Sequence, residues 1–132
     1  MREQPLLIAL LIGLMCLVRF GLAAYGYAAP EALMAQLAAP VADNPQMPYV
    51  IRVWAIRDMV LAILVATARP TTITPLLLAC IVIDATDILS AWLAGRAGLF
   101  SPAETVSLMT TAIAALVPET LALVLIRRAA RT

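Results

Sequence analysis

Four long apolar runs dominate the chain, and short segments rich in proline, glycine and polar residues separate them. The runs cover residues 6–28, 49–68, 72–93 and 102–126. Each is close to the roughly 20 residues that a helix needs to cross the hydrocarbon core of a bilayer. The pattern predicts an all-α fold, a four-helix transmembrane bundle with short loops, forming a single membrane domain over residues 1–132.

The connection between the first and second runs is the only long one. Its beginning, PEALMAQL at 30–37, has apolar residues at helical spacing. This spacing predicts a short interfacial helix within the longer outer loop. Ser101-Pro102-Ala103-Glu104 predicts the start of the last helix, with serine as the N-cap, proline in the first helical position and a carboxylate in the first turn.

Composition favours a membrane over water as the surroundings of this chain. Hydrophobic residues make up 64% and charged residues 13%, against roughly half and roughly a quarter in soluble domains. The net charge of +1 gives no electrostatic footprint for nucleic acid. Histidine is absent, which excludes imidazole metal ligands and Ser-His-Asp catalysis. Cys16 and Cys80 form no C-x-x-C motif, so we expect two buried thiols, no metal site and no cofactor.

Arginines are concentrated on one side of the predicted membrane. In the loops and tails, five arginines fall on the side of the termini and only Arg96 falls on the other side. Cytoplasmic segments of membrane proteins carry the excess of basic residues. We therefore expect a multi-pass protein with both termini in the cytoplasm and the long loop outside. The five arginines are Arg2, Arg69, Arg127, Arg128 and Arg131.

Charged residues interrupt three of the runs at a common depth. At about 1.5 Å of helix rise per residue, they lie roughly 9–14 Å from the outer ends of their helices. A single charge at the centre of a spanning helix costs about 3 kcal/mol, so separate exposure of all five to lipid is excluded. We expect a buried salt-bridge cluster in the outer half of the bundle. Its members are Arg19, Arg57, Asp58, Asp84 and Asp87.

This predicted cluster is also the candidate active site. Its three carboxylates outnumber its two arginines, so one carboxylate carries a proton unless another arginine joins. Asp84 and Asp87 are three residues apart and share a helix face. In a catalytic site they would serve as acid and base, while Arg19 and Arg57 hold Asp58 ionised.

Four residues nearer the outer interface complete the candidate binding site: Arg52, Trp54, Trp92 and Glu104. Arg52 is the candidate for a third positive charge beside those of Arg19 and Arg57. The two tryptophans belong either to a one-sided aromatic belt or to the walls of an outward-opening pocket for a lipophilic ligand. Glu119, the one charged residue in the inner half of a run, is expected to pair with Arg69 or a tail arginine.

Short motifs give the chain a resemblance to a known group of proteins. VRFGLAAYGYAAPEAL, RVWAIRDMVLA, DATD and GRAG resemble segments of small bacterial four-helix membrane proteins that are catalogued as domains of unknown function. The matched positions are Arg19 and Phe20 in the first run and Arg57 and Asp58 in the second. The resemblance implies a compact four-helix bundle in the bacterial inner membrane and carries no established activity.

Three functions remain open at this point. The first is a structural or binding role, with the charges fixing helix register and the protein binding a membrane lipid, a lipophilic small molecule or another membrane protein. The second is an intramembrane acid–base enzyme acting on a lipophilic substrate as an isomerase, a cyclase or an epoxide-opening enzyme. The third is a small proton-coupled transporter. Assembly into a homo-oligomer is also open.

Overall fold

The chain folds into five helices. A computed structural model describes residues 3–37 and 42–131, and no strand occurs in these ranges. The all-α prediction is therefore confirmed. The helices are α1 (Glu3–Ala28), α2 (Pro30–Gln36), α3 (Met47–Ala66), α4 (Ile73–Arg96) and α5 (Pro102–Ala129).

The predicted four-helix transmembrane bundle is wrong. The described residues form five helices, and three segments are long and apolar enough to cross a membrane, namely Pro5–Ala28, Ile73–Arg96 and Pro102–Ala129. The 20 residues of α3 carry Arg52, Arg57 and Asp58, and α3 is not among these three. The spanning helix at 49–68 was predicted from the length of the run and its apolar share. That prediction left out the combined free-energy cost of placing three charged side chains in the bilayer.

The ends of the helices follow the sequence signals closely. The Ser101 side chain accepts from the Glu104 backbone N–H at 3.3 Å, and the Glu104 carboxylate accepts from the Ser101 backbone N–H at 2.7 Å. This reciprocal pair is a capping box. The predicted helix start, with Ser101 as N-cap, Pro102 in the first helical position and Glu104 in the first turn, is confirmed. Gly98, at φ 76°, closes α4, because its left-handed conformation lets the Gly98 and Leu99 N–H groups bond back to the carbonyl oxygens of Gly95 and Ala94.

The long helices are arranged so that α1 and α4 occupy opposite corners. α1 packs along α3 and α5, and α4 packs along α5, whereas α3 and α4 approach each other over a much shorter stretch. No Cα atom of α1 lies within 8 Å of a Cα atom of α4 in the described ranges. The helix predicted at 30–37 is present as α2, which packs on α1 and α3.

One half of the bundle has an apolar core built from all four long helices. We call it the terminal half, because α1 begins and α5 ends there. Its buried side chains are Met15 and Cys16 of α1, Ala62 and Val65 of α3, Leu77 and Cys80 of α4, and Ala122 and Leu123 of α5. The two thiols are buried, as predicted, and remain free. The separation of α1 from α4 excludes a disulfide between them.

The opposite half, which holds α2 and the 97–101 turn, is called the loop half. Its core is smaller and consists of Leu33 and Met34 of α2 with Ile51 of α3. In the described ranges α4 has no fully buried residue beyond Asp84, and α5 has none before Glu119. The α4–α5 hairpin therefore joins the common core only in the terminal half.

Candidate functional site

A buried arginine connects all four long helices at the boundary between the two halves. Arg19 continues the inward stripe of α1, one turn beyond Met15 and Cys16. Its Nη2 donates to Asp84 Oδ2 at 2.6 Å and to Glu119 Oε2 at 3.3 Å, and its Nη1 lies 3.4 Å from Asp58 Oδ2. We call these four residues the Arg19 cluster.

The members of the Arg19 cluster are shielded from solvent and lipid. The side chain of Arg19 is 2% exposed and that of Glu119 is fully buried. Asp58 and Asp84 expose 8% and 6% of their side chains. Because the partners come from α3, α4 and α5, a single guanidinium ties α1 to every other long helix. The prediction of a buried salt-bridge cluster is thus confirmed for Arg19, Asp58 and Asp84. It is wrong for Arg57 and Asp87, whose side chains are partly exposed.

A second, more open ion pair lies beside the Arg19 cluster. Arg57 Nε donates to Asp58 Oδ1 at 3.2 Å, and Arg57 Nη2 lies 3.8 Å from Asp87 Oδ2. The side chains of Arg57 and Asp87 are 44% and 42% exposed. This contact spans the gap between α3 and α4, where the two helices pack over the shortest stretch.

The ionic groups of the site do not balance. Two guanidinium groups face four carboxyl groups, so full ionisation would leave two uncompensated negative charges in an apolar bundle. Such an excess is strongly disfavoured at low dielectric. Asp84 Oδ2 and Glu119 Oε2 both accept from Arg19 Nη2, at 2.6 Å and 3.3 Å. In the described part of the chain, Glu119 Oε1 has no hydrogen-bond partner.

The structure brings together most of the residues that the sequence grouped. Arg19, Asp58 and Asp84 share one cluster, and Arg57 and Asp87 adjoin it. The acid and base roles proposed for Asp84, Asp87 and Asp58 stay predictions. Asp84 and Asp87 contact different arginines, so they do not form an isolated pair.

Glu119 is the member that the sequence analysis placed wrongly. It contacts Arg19, and not Arg69 or a tail arginine. Counting Cα positions along each helix misjudged its height, because side chains tilt toward the N-terminus of their helix. α1 and α5 run in opposite directions, so the tilts of Arg19 and Glu119 converge. The available signal was a lone carboxylate in the middle of an apolar helix.

Arg52 and Glu104 lie outside the Arg19 cluster. Arg52 is exposed, and its Nε donates to the Tyr27 carbonyl oxygen at 3.3 Å. It therefore does not supply a third positive charge to the buried carboxylates. The Glu104 carboxylate is engaged in the capping box at the start of α5. Their binding roles remain untested predictions.

The two tryptophans occupy different environments. Trp54 is half-buried and packs against the loop-half core. Trp92 is 43% exposed on α4, with the Arg96 guanidinium carbon 5.2 Å from its ring centroid, a cation–π contact. The contacts of the two rings are thus with the loop-half core and with Arg96.

Two surface grooves lie away from the Arg19 cluster. One, of about 570 Å³, follows the α3–α4 turn and is lined by Leu64, Thr67, Ala68, Arg69, Thr72, Pro75 and Leu76. The other, of about 460 Å³, runs between α1 and α5 and is lined by apolar side chains and Thr110. Within residues 3–37 and 42–131, no group of three His, Cys, Asp or Glu residues is arranged to hold a metal ion.

Comparison of this chain with protein families, with curated proteins and with solved structures gives no match. The resemblance to small bacterial membrane proteins therefore stays a prediction.

Proposed function

We propose that this chain is a small integral membrane protein of the bacterial inner membrane that binds lipophilic molecules, with the Arg19 cluster as its structural ionic core. The observation that carries the proposal is the guanidinium shared among carboxylates of three other helices. Three segments of sufficient length and apolarity support membrane insertion. The apolar grooves, open on the helix surfaces, support binding of lipophilic molecules.

The distribution of arginines supports an orientation with the terminal half toward the cytoplasm. Arg69 follows α3, while Arg127, Arg128 and Arg131 lie in or just after the last turn of α5. The loop half has Arg96, which stacks on Trp92. Arg2, which also entered the count, lies outside the described residues. An excess of basic residues marks the cytoplasmic face.

Membrane insertion is tested by extraction of membranes with alkaline carbonate, which removes peripheral proteins. The chain is expected to stay in the membrane pellet and to be released only by detergent. Recovery in the carbonate supernatant would contradict the proposal.

The structural role is tested by a double-mutant cycle on Arg19 and Asp84. Arg19→Gln should destabilise the protein in detergent by about 3–5 kcal/mol, because it leaves buried carboxylates without their cation. Adding Asp84→Asn should recover part of that loss. The coupling free energy between Arg19 and Asp84 should therefore be well above that between Arg57 and Asp87. Thermal or denaturant unfolding supplies the free energies.

Arg57 and Asp87 provide the matched control cycle. Their side chains are more than two-fifths exposed, and pairs of this kind contribute about 0–1 kcal/mol. The variants are Arg57→Gln and Asp87→Asn. Equal coupling in the two cycles would refute the structural role assigned to the Arg19 cluster.

A second candidate function is proton binding within a proton-coupled carrier. The surplus of buried carboxyl groups and the unpartnered Glu119 Oε1 favour it. Infrared spectra of the purified protein should then contain the carbonyl stretch of a protonated buried carboxyl group. Glu119→Gln should remove or shift that band, whereas Glu104→Gln should leave it unchanged. A folded wild-type protein without the band would exclude this candidate.

A further inference from the structure

The groove beside the α3–α4 turn combines an apolar wall with a basic rim. Leu64 near the end of α3, and Pro75 and Leu76 in the first turn of α4, supply the wall. Arg69 lies at the turn and forms part of the same lining. An apolar surface next to a cation matches a molecule that has a hydrocarbon chain and an anionic head.

The charge around this groove is positive and unbalanced. Arg69 is exposed and makes no ion pair within the described part of the chain, and the same holds for Arg127, Arg128 and Arg131. The sequence contains no acidic residue in 59–83 or in 120–132. The terminal end therefore offers cations near a groove in which no carboxylate competes.

The backbone at the start of α4 adds to the positive potential. Thr72 is the N-cap residue, but its side chain makes no capping hydrogen bond. Its hydroxyl instead bonds the backbone of Arg69, accepting from the N–H at 3.0 Å and donating to the carbonyl at 3.2 Å. This bonding folds the turn. In the first turn of α4 the Ile73 N–H bonds the Arg69 carbonyl oxygen and Pro75 has no N–H, so the Thr74 N–H is the group left without a cap in the described part of the chain. A helix N-terminus in this state attracts anions.

We propose that this groove binds an anionic phospholipid, with an acyl chain along Leu64 and Leu76 and the phosphate beside Arg69. The inference rests on the proposed membrane location. It deepens that proposal by naming the ligand class. It follows from charge complementarity between a phosphate and a groove whose lining contains Arg69 and no carboxylate. Basic pockets beside the cytoplasmic ends of membrane helices recognise lipid headgroups in this way.

Lipid titration of the full-length protein in detergent tests the proposal. The probes are phosphatidylglycerol and phosphatidylcholine with identical acyl chains, and bound lipid is counted by native mass spectrometry. Wild-type protein should bind phosphatidylglycerol more tightly. Arg69→Gln should weaken that binding about fivefold, the effect of one arginine near a lipid headgroup, and leave phosphatidylcholine binding nearly unchanged.

Two further variants separate the groove from general attraction to a charged micelle. Arg96→Gln removes an arginine at the opposite end and should preserve the preference for phosphatidylglycerol. Leu64→Gln should weaken the binding of both lipids, because it interrupts the apolar wall. Equal binding of the two lipids by wild-type protein, or an Arg69→Gln variant with unchanged preference, would overturn the inference.

Carbonate extraction keeps this test distinct from that of the membrane location. A chain that stays in the membrane pellet yet binds both lipids equally would refute the lipid site alone. A chain recovered in the carbonate supernatant would refute the membrane location, and the lipid site with it.

Discussion

The terminal half and the loop half of this protein are built differently, although the same long helices pass through both. In the terminal half, each long helix contributes two fully buried side chains to one core. In the loop half, α2 and α3 form a small core, while α4 and α5 contribute no fully buried residue. The Arg19 cluster lies where one type of packing gives way to the other.

The difference shows how the α4–α5 hairpin is attached. Its side chains reach the remainder of the bundle through the terminal-half core and through Asp84 and Glu119, which contact Arg19. Asp87 adds the partly exposed contact with Arg57. The loop half depends instead on α2 docked against α1 and α3. A change in the terminal half should therefore affect the whole protein, whereas a change in the loop half should act locally.

The largest contrast is expected between two leucine truncations. Leu77 in the terminal half and Leu33 in the loop half are 0% and 6% exposed, so the same atoms are removed from similarly buried sites. Leu77→Ala should lower the free energy of unfolding in detergent by about 2–5 kcal/mol, because it opens a cavity where four helices meet. Leu33→Ala should lower it less. Hydrogen exchange should show that α2 loses protection while α4 and α5 keep theirs. Equal losses would contradict the contrast.

An intermediate effect is expected at Gly95, where α4 packs closely against the Thr105 side chain of α5. A Cβ atom added to Gly95 would lie 2.6 Å from Thr105 Cγ2, well inside van der Waals contact. Gly95→Ala should therefore destabilise the protein by about 1–3 kcal/mol. Adding Thr105→Ala, which removes the two nearest atoms, should restore most of the loss in the same unfolding experiment. A Gly95→Ala variant as stable as wild type would show that the hairpin tip does not need this contact.

The smallest effect is expected from two glycines of α1. Gly21 has nothing within 4 Å of an added Cβ atom, whereas at Gly26 that atom would lie 2.9 Å from Leu33 Cδ2 and 3.2 Å from Trp54 Cζ3. Gly21→Ala should stabilise the protein by about 0.5–1 kcal/mol through helix propensity. Gly26→Ala should give no net stabilisation, because the added methyl group disturbs the packing of the loop-half core. Thermal unfolding of the two variants, compared with wild type, measures the difference. The same stabilisation in both variants would contradict the packing described around α2.

Sequence reasoning predicted the helices and the identity of most charged partners, because both depend on local patterns. The start of α5 at Pro102 follows from a capping box that is readable in four residues. The pairing of Arg19 with Asp58 and Asp84 follows from the cost of isolated charges in an apolar run. Neither inference needs knowledge of how the helices are ordered around the bundle.

The parts that sequence reasoning missed depend on three-dimensional order. Glu119 joined the site because its side chain and that of Arg19 tilt toward each other, which a one-dimensional depth count does not contain. Trp54 faces α2, whose docking position is fixed by contacts between helices. The count of spanning segments was wrong because the charges of α3 were treated only as site residues.

The reach of Arg19 has a consequence for the way the protein is made. Asp84 follows it in the chain by 65 residues and Glu119 follows it by 100, so α1 emerges from the ribosome before either partner has been synthesised. Arg19 acquires all three of its ion pairs only after α5 has joined the other helices. Biogenesis thus ends with the step that neutralises the first helix. A product of premature termination before α5 keeps an incompletely paired arginine that quality-control proteases can distinguish from the finished chain.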